Sequence, residues 1–213
     1  MNRVFRAILS VAAGVVLLGP SPARAQDEGV KQVQRLIKSS GETVQAIGET
    51  KLQIQKTLDT YNALLGEDAS KLRNLYKGLQ KEMESTAKKR AEIDSRSEVM
   101  QRDANTLFES WASSATAIES ENLRARSLER LATTKERFAE IEAVGQKAGE
   151  LYDPFMKSLA EQVTYLGHDL NTEALASLKP DAEKLNLKAK ELLAAIDDAI
   201  GVANKNIGML RPQ

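Results

Sequence analysis

Apolar residues recur through the middle of the chain at alternating intervals of four and three. This stripe has fourteen positions, ten of them apolar or aromatic: Leu72, Tyr76, Leu79, Met83, Thr86, Arg90, Ile93, Ser97, Met100, Ala104, Leu107, Trp111, Ser114 and Ile118. Heptad spacing of this kind keeps one face of a single α-helix turned towards partner helices, as in a coiled coil. The pattern therefore predicts a helical rod of roughly 70 Å.

A similar stripe precedes this one and predicts a first long helix. Its positions are Val33, Ile37, Ser40, Val44, Ile47, Lys51, Ile54, Leu58, Tyr61 and Leu65. Gly66 follows directly and is suited to end a helix, while Asp68 or Ser70 is suited to cap the next one. Because the connection is short, the two helices are expected to be antiparallel neighbours.

The irregular positions of the two stripes support this hairpin. When the stripes are paired about Gly66, Lys51 lies level with Thr86, and Ser40 lies level with Ser97. The choice of register does not require this agreement. It therefore favours the pairing of the first two helices.

Two further stripes follow after a change of phase. The third contains Ser127, Leu131, Thr134, Phe138, Ile141, Gly145, Ala148, Tyr152, Phe155, Leu159, Gln162 and Leu166, and the fourth Ala182, Leu185, Ala189, Leu192, Ile196, Ala199, Ala203 and Ile207. The change of phase predicts a tight turn near Ser120 to Asn122. Gly167 is expected to end the third helix, and Pro180 to open the last one.

Two features interrupt this regular pattern. Pro154 follows Asp153 inside the third stripe, and this pair predicts a kink or a brief break in the helix. The connector before Pro180 predicts a short helix from Thr172 to Leu178. No segment alternates apolar and polar residues as a strand would. The sequence therefore predicts an all-α fold, an elongated antiparallel bundle of four long helices with coiled-coil heptads.

Continuing the pairing through all four helices places four small residues at one level: Ser40, Ser97, Gly145 and Ala199. Small residues opposite one another allow close approach of helices. One interpretation is a waist where the helices approach closely. The other is a cavity or a hinge.

The predicted helices differ in length, so part of the bundle should project. The hairpin of helices two and three, from about Leu107 to Leu131, is expected to extend ~20 Å beyond helix one. Phe108 and Trp111, the only tryptophan, lie on this projection. Exposed aromatic residues often mark a partner site, which makes these two the candidate partner contacts. The alternative is that they only hold the hairpin together, Trp111 against Leu131.

The first 25 residues have the pattern of a secretory leader. Arg3 and Arg6 precede the uncharged, mostly apolar segment 7–19, and Ala23-Arg24-Ala25 forms an A-x-A cleavage site. We expect cleavage to leave residues 26–213 as one domain, without a membrane-spanning segment. The A-x-A leader is typical of bacteria and predicts a periplasmic protein, with secretion as the alternative.

Composition narrows the classes of function. Without the three arginines of the leader, the chain has 27 basic and 30 acidic residues, a formal charge of −3. This charge argues against a nucleic-acid binder, which would present a basic patch. The chain has no cysteine, so disulfides and thiolate metal sites are excluded.

Chemical motifs are also missing. His168, the single histidine, has no glutamate three residues before it, as a di-iron bundle requires, and a hydrogen-bonded loop histidine is the simpler interpretation. The sequence has no nucleotide-binding loop, zinc motif or nucleophile elbow. We expect neither enzymatic activity nor a cofactor.

Four segments are distinctive enough to compare with known families: residues 61–67 (YNALLGE), 76–83 (YKGLQKEM), 107–111 (LFESW) and 162–171 (QVTYLGHDLN). They resemble an uncharacterised bacterial family, domain of unknown function 2959. The resemblance covers most of the chain after the leader. It implies no activity, cofactor or catalytic residue.

The sequence leaves three functions open. The first is a module that binds another envelope protein or itself, with the projecting hairpin as the contact. The second is a periplasmic holdase-type chaperone, although chaperones of that kind have a basic interior and this chain is nearly neutral. The third is a bundle that binds a small ligand or cofactor through the small-residue layer or His168.

Overall fold

The protein is all-α, as predicted. A computed structural model describes residues 22–66 and 71–210. These residues form five helices: α1 (Pro22–Leu65), α2 (Leu72–Thr116), α3 (Glu121–His168), α4 (Thr172–Ser177) and α5 (Lys179–Leu210). Most of the expected leader, and the expected caps Asp68 and Ser70, lie outside the described residues. Within them, no helix has both the length and the apolar character needed to cross a lipid bilayer.

The four long helices run antiparallel in the order α1, α2, α3 and α5 around the bundle, with α5 closing against α1. Side-chain contacts confirm the predicted registers. They join Glu42 to Arg96 at 3.0 Å, Gln101 to Glu142 at 2.7 Å, and the Asn206 amide to the Arg137 carbonyl at 3.1 Å. We call the end at the α1–α2 connection the lower end, and the end at the α2–α3 turn the upper end.

The predicted boundaries of α3, α4 and α5 lie within one or two residues of those in the structure. The turn between α2 and α3 spans residues 117–120, and Ser120 precedes α3. The short helix α4 begins after Asn171, whose side-chain oxygen accepts a hydrogen bond from the Ala174 amide at 2.8 Å. This bond satisfies one of the backbone donors that a helix leaves free at its N-terminus.

Of the kink or brief break predicted at Pro154, the break is wrong, because α3 continues through it without interruption. The kink stays a prediction. A proline inside a helix costs ~3 kcal/mol. Tyr152, Phe155 and Leu159, on either side of Pro154, are buried. Each of them contributes about 1.5–3 kcal/mol on burial. Their packing offsets the missing hydrogen bond, and the pyrrolidine ring itself is exposed.

The buried face of α1 is centred one residue before the predicted stripe. Its buried residues are mostly small: Gln32, Leu36, Ser39, Ser40, Thr43, Ala46, Thr50, Ile54, Thr57, Tyr61 and Leu64. Several stripe positions, among them Ile37, Val44 and Lys51, are only half-buried. The reason is that α1 packs against both α2 and α5, so its buried arc is wider than one stripe.

Two apolar clusters fill the bundle. The lower core includes Ile54, Tyr61, Leu79, Phe155 and Leu185, together with their neighbours on all five helices. The upper core consists of Leu36, Met100, Ala104, Leu107, Phe108, Leu131 and Phe138. We call the level between the two clusters the waist.

A cleft at the waist of the bundle

A cleft of about 260 Å³ lies at the waist and is lined by residues of α1, α2, α3 and α5. Leu192 of its wall belongs to the lower core and Met100 to the upper core, while Ile47 and Ile141 pack against these two cores. The cleft therefore occupies the join between the two clusters. It follows α2 from Arg90 to Gln101, a length of about 16 Å at the rise of an α-helix.

Small residues of α3 create the space. Gly145, Ala148 and Gly149 line the cleft, and Gly145 is exposed. A β-carbon at Gly145 would have no atom within 4 Å, whereas one at Gly149 would lie 3.5 Å from the Arg90 guanidinium. The wall is therefore open at Gly145, and the cleft faces solvent between α2 and α3.

The floor of the cleft is apolar. Leu192, Ile196 and Ala199 of α5 are almost completely buried there, and Ile47 of α1 is half-buried. Thr43 adds the one hydroxyl of the floor, and this hydroxyl donates a hydrogen bond to the Ser39 carbonyl at 2.9 Å. The floor therefore offers a bound molecule apolar contact and no free polar group.

Arg90, Asp94 and Tyr152 form the lower end of the cleft. Arg90 pairs with Asp94, and its guanidinium lies 5.7 Å from the centre of the Tyr152 ring. Burial raises the pKa of Tyr152, and Arg90 opposes this rise by favouring the phenolate. The Tyr152 residue is only 8% exposed, and its hydroxyl makes no hydrogen bond to any described residue. It is a neutral polar group available to a ligand.

Glu142 and Gln101 form the upper end. The Gln101 side-chain amide donates to a Glu142 carboxylate oxygen at 2.7 Å. Ser97 lies between the two ends, level with Gly145, and is half-buried. The cleft is thus a slot with an apolar floor and a polar group at each end, a composition common in sites for small molecules.

The predicted small-residue layer divides between two spaces. Ser97, Gly145 and Ala199 line the cleft. Ser40 is buried and lines a separate space of about 10 Å³ next to Leu36. Arg90 and Tyr152 appear in the predicted stripes only as core positions. Their pairing across α2 and α3 could have been found from the register, since both lie at the same level.

The predicted partner contacts at the upper end need correction. Phe108 is buried in the upper core, where its ring packs edge-on against Phe138 at a centroid distance of 5.8 Å. Trp111 is half-buried, and its ring nitrogen donates to the Ser127 hydroxyl at 3.0 Å. The reason is that α1 begins at Pro22 and α5 reaches Leu210, so more helix covers this region than the stripes predict.

His168 is the last residue of α3, not a loop residue, and is exposed. Within residues 22–66 and 71–210, no group of three or more histidine or acidic side chains could hold a metal ion. No such group of side chains therefore includes His168.

In comparisons with known proteins, one family model matches residues 24–210. A family model described as "Protein of unknown function (DUF2959)" covers this range. No curated protein and no solved structure matches the chain.

Proposed function

The chain belongs to the DUF2959 family of unknown function, and from the geometry of its waist we propose that it is a binding protein for a small, elongated, mainly apolar molecule. The observation behind this proposal is the cleft, an apolar slot about 16 Å long. The proposal favours the third of the functions that the sequence leaves open.

The size of the cleft and its polar group at Tyr152 support a ligand. An apolar cavity of ~150 Å³ in a protein can accept a molecule the size of benzene, and this cleft has about 260 Å³. Well-packed bundles contain few voids larger than a water molecule. The unpartnered Tyr152 hydroxyl supplies a polar contact of the kind that orients ligands in such sites.

We further propose that the protein acts without catalysis and in the periplasm. The leader-like residues 1–25 support the location. Binding alone is the simplest use of a slot in which Arg90 and Asp94, the charged groups of the lower end, are already paired with each other. An exported binding protein of this kind would hold or carry its ligand in the envelope.

Octanol is a suitable first probe, because its straight chain matches a narrow slot. We expect saturable binding in calorimetric titrations, with shifts of backbone amide signals at Ser97, Gly145 and Leu192. Gly145→Leu should abolish binding, since the new side chain would enter the open space at that position. Gly201→Leu is the matched control, because Gly201 is an exposed glycine of α5 outside the cleft. Equal binding by both variants, or no saturable binding at all, would contradict the proposal.

A second candidate function is contact with an envelope protein or with another copy of the chain through the upper end. The supporting observation is a pair of exposed leucines, Leu123 at 57% and Leu128 at 39% exposure. Replacing both by serine should reduce crosslinking in the periplasm and any self-association in sedimentation. Leu187→Ser, at a comparably exposed leucine of α5, is the control. The holdase hypothesis has no comparable observation behind it.

A further inference from the structure

Negatively charged side chains outnumber positively charged ones in the lining of the cleft. Three charged side chains line it: Arg90, Asp94 and Glu142. Arg90 and Asp94 form an ion pair with each other. Glu142 accepts a hydrogen bond from the neutral Gln101 amide, and it makes no ion pair with any residue in the described part of the chain. One negative charge therefore remains, at the upper end.

The position of Glu142 makes this charge available to a ligand. Glu142 is half-buried on α3, where it lines the cleft together with Gly145 and Ile141. A ligand nitrogen there would complete the hydrogen-bonding capacity of the carboxylate, whose second oxygen has no partner among the described residues. A hydrogen bond with charge on both partners is stronger than a neutral one.

The lower end does not attract a charge in the same way. The Arg90 guanidinium is already paired with Asp94 and lies over the Tyr152 ring. An anionic ligand would have to separate this pair, and a cationic one would meet Arg90. A neutral end fits best there, beside the Tyr152 hydroxyl. The two ends thus impose a direction on the ligand.

We propose that the waist cleft selects a straight-chain molecule with a cationic nitrogen at one end, which Glu142 binds, while the apolar chain extends along α3 towards Tyr152. The ligand class is a primary amine with an alkyl chain. This inference rests on the proposed function and specifies its ligand. The distance along α3 from Glu142 to Tyr152 is about 15 Å. An extended chain advances ~1.2 Å per bond, so an amine of eight to ten carbons is roughly 10–12 Å long and fits between them.

Three probes of equal length test the selection: octylamine, octanol and octanoate, each below its aggregation concentration. We expect octylamine to bind roughly five- to tenfold more tightly than octanol, the effect of one ion pair in a partly solvated site. Octanoate should bind more weakly than octanol, because Glu142 repels it. Added salt should reduce the preference for the amine.

Glu142→Gln should remove the preference for the amine, so that this variant binds octylamine and octanol with similar affinity. Glu150→Gln is the matched control, since Glu150 is an exposed glutamate of α3 that also accepts from a glutamine, Gln146 at 2.9 Å, but does not line the cleft. This control should retain the preference.

The outcomes separate the two proposals. Absence of binding by all three probes would overturn the proposed function. Binding of octanol without a preference for octylamine, or an equal loss of that preference in both glutamate variants, would overturn only the selection by Glu142. Preference for octanoate would do the same and would indicate that the ligand separates Arg90 from Asp94.

Discussion

The α1–α2 and α2–α3 interfaces both have small residues at their centres, but the first is closed and the second is open. At the first, the hydroxyls of Thr57 and Thr86 are 2.8 Å apart, and the Thr50 hydroxyl lies 3.3 Å from the Lys89 carbonyl. Side chains of one helix thus reach the backbone of the other. At the second, Gly145 has open space where its side chain would be.

The difference arises from the residues opposite. The threonines of α1 face Thr86 and the backbone of α2. No large side chain at these contacts holds α1 and α2 apart. Across from Gly149 stands Arg90, whose long side chain lies over the Tyr152 ring. A large side chain keeps two helices apart, and glycine cannot fill the gap that results. Small residues therefore close an interface only when both helices contribute them.

Overfilling the closed interface should have the largest effect. Thr57 is completely buried, so Thr57→Leu introduces extra volume and removes the hydrogen bond to Thr86. We expect a loss of about 2–3 kcal/mol in the free energy of unfolding, measured by urea denaturation. Thr60→Leu is the control, since Thr60 is half-buried and bonds only within its own helix. Equal losses in the two variants would show that the interface is not close-packed.

The second largest effect should be a loss of stability of the lower core at high pH. Burial, with a smaller contribution from Asp181, raises the pKa of Tyr61 from 10.0 to about 12. Because this pKa is higher in the folded than in the unfolded chain, the stabilisation is complete below pH 10 and is lost as pH rises to 12. The loss amounts to roughly 2 kcal/mol. It is measured as the difference in unfolding free energy between wild type and Tyr61→Phe across this range, and parallel curves would contradict it.

The two buried tyrosines should differ at neutral pH. The Tyr61 hydroxyl donates to the Gln162 side chain, whereas the Tyr152 hydroxyl has no partner among the described residues. Tyr61→Phe should cost about 1–2 kcal/mol, since Gln162 loses a buried partner. Tyr152→Phe should change stability by less than about 0.5 kcal/mol, because the ring and its contact with Arg90 remain. A similar cost at both positions in thermal unfolding would place a protein partner at Tyr152.

Much of this architecture follows from the spacing of apolar residues. The pairing about Gly66 and the turn near Ser120 depend only on the heptad period, and both are confirmed. Even the level of Ser97 and Gly145 follows from counting along the stripes. Periodicity fixes which residues are level with one another, since each turn of a helix has a constant rise.

Periodicity does not determine how close two helices come, and the remaining features depend on that distance. Ser40 and Ser97 are both small, yet the first is buried against other helices and the second lines a cleft. Phe108 is buried because helices from distant parts of the chain cover it. Pro154 lies in a continuous helix because the packing around it offsets the cost. These outcomes depend on the whole assembly and not on any local pattern.

The smallest expected effect comes from two glycines of the same interface, one at the waist and one at the lower end. Gly145→Ala should raise the unfolding free energy by about 0.5–1 kcal/mol, because alanine favours helix and nothing opposes its methyl group. Gly167→Ala should lower the unfolding free energy, although alanine is preferred to glycine in a helix there too. There the methyl group would lie 2.6 Å from the Tyr76 hydroxyl, which donates to the Val163 carbonyl at 3.2 Å. If both substitutions stabilise the protein in urea denaturation, α2 and α3 are as loosely packed at the lower end as at the waist.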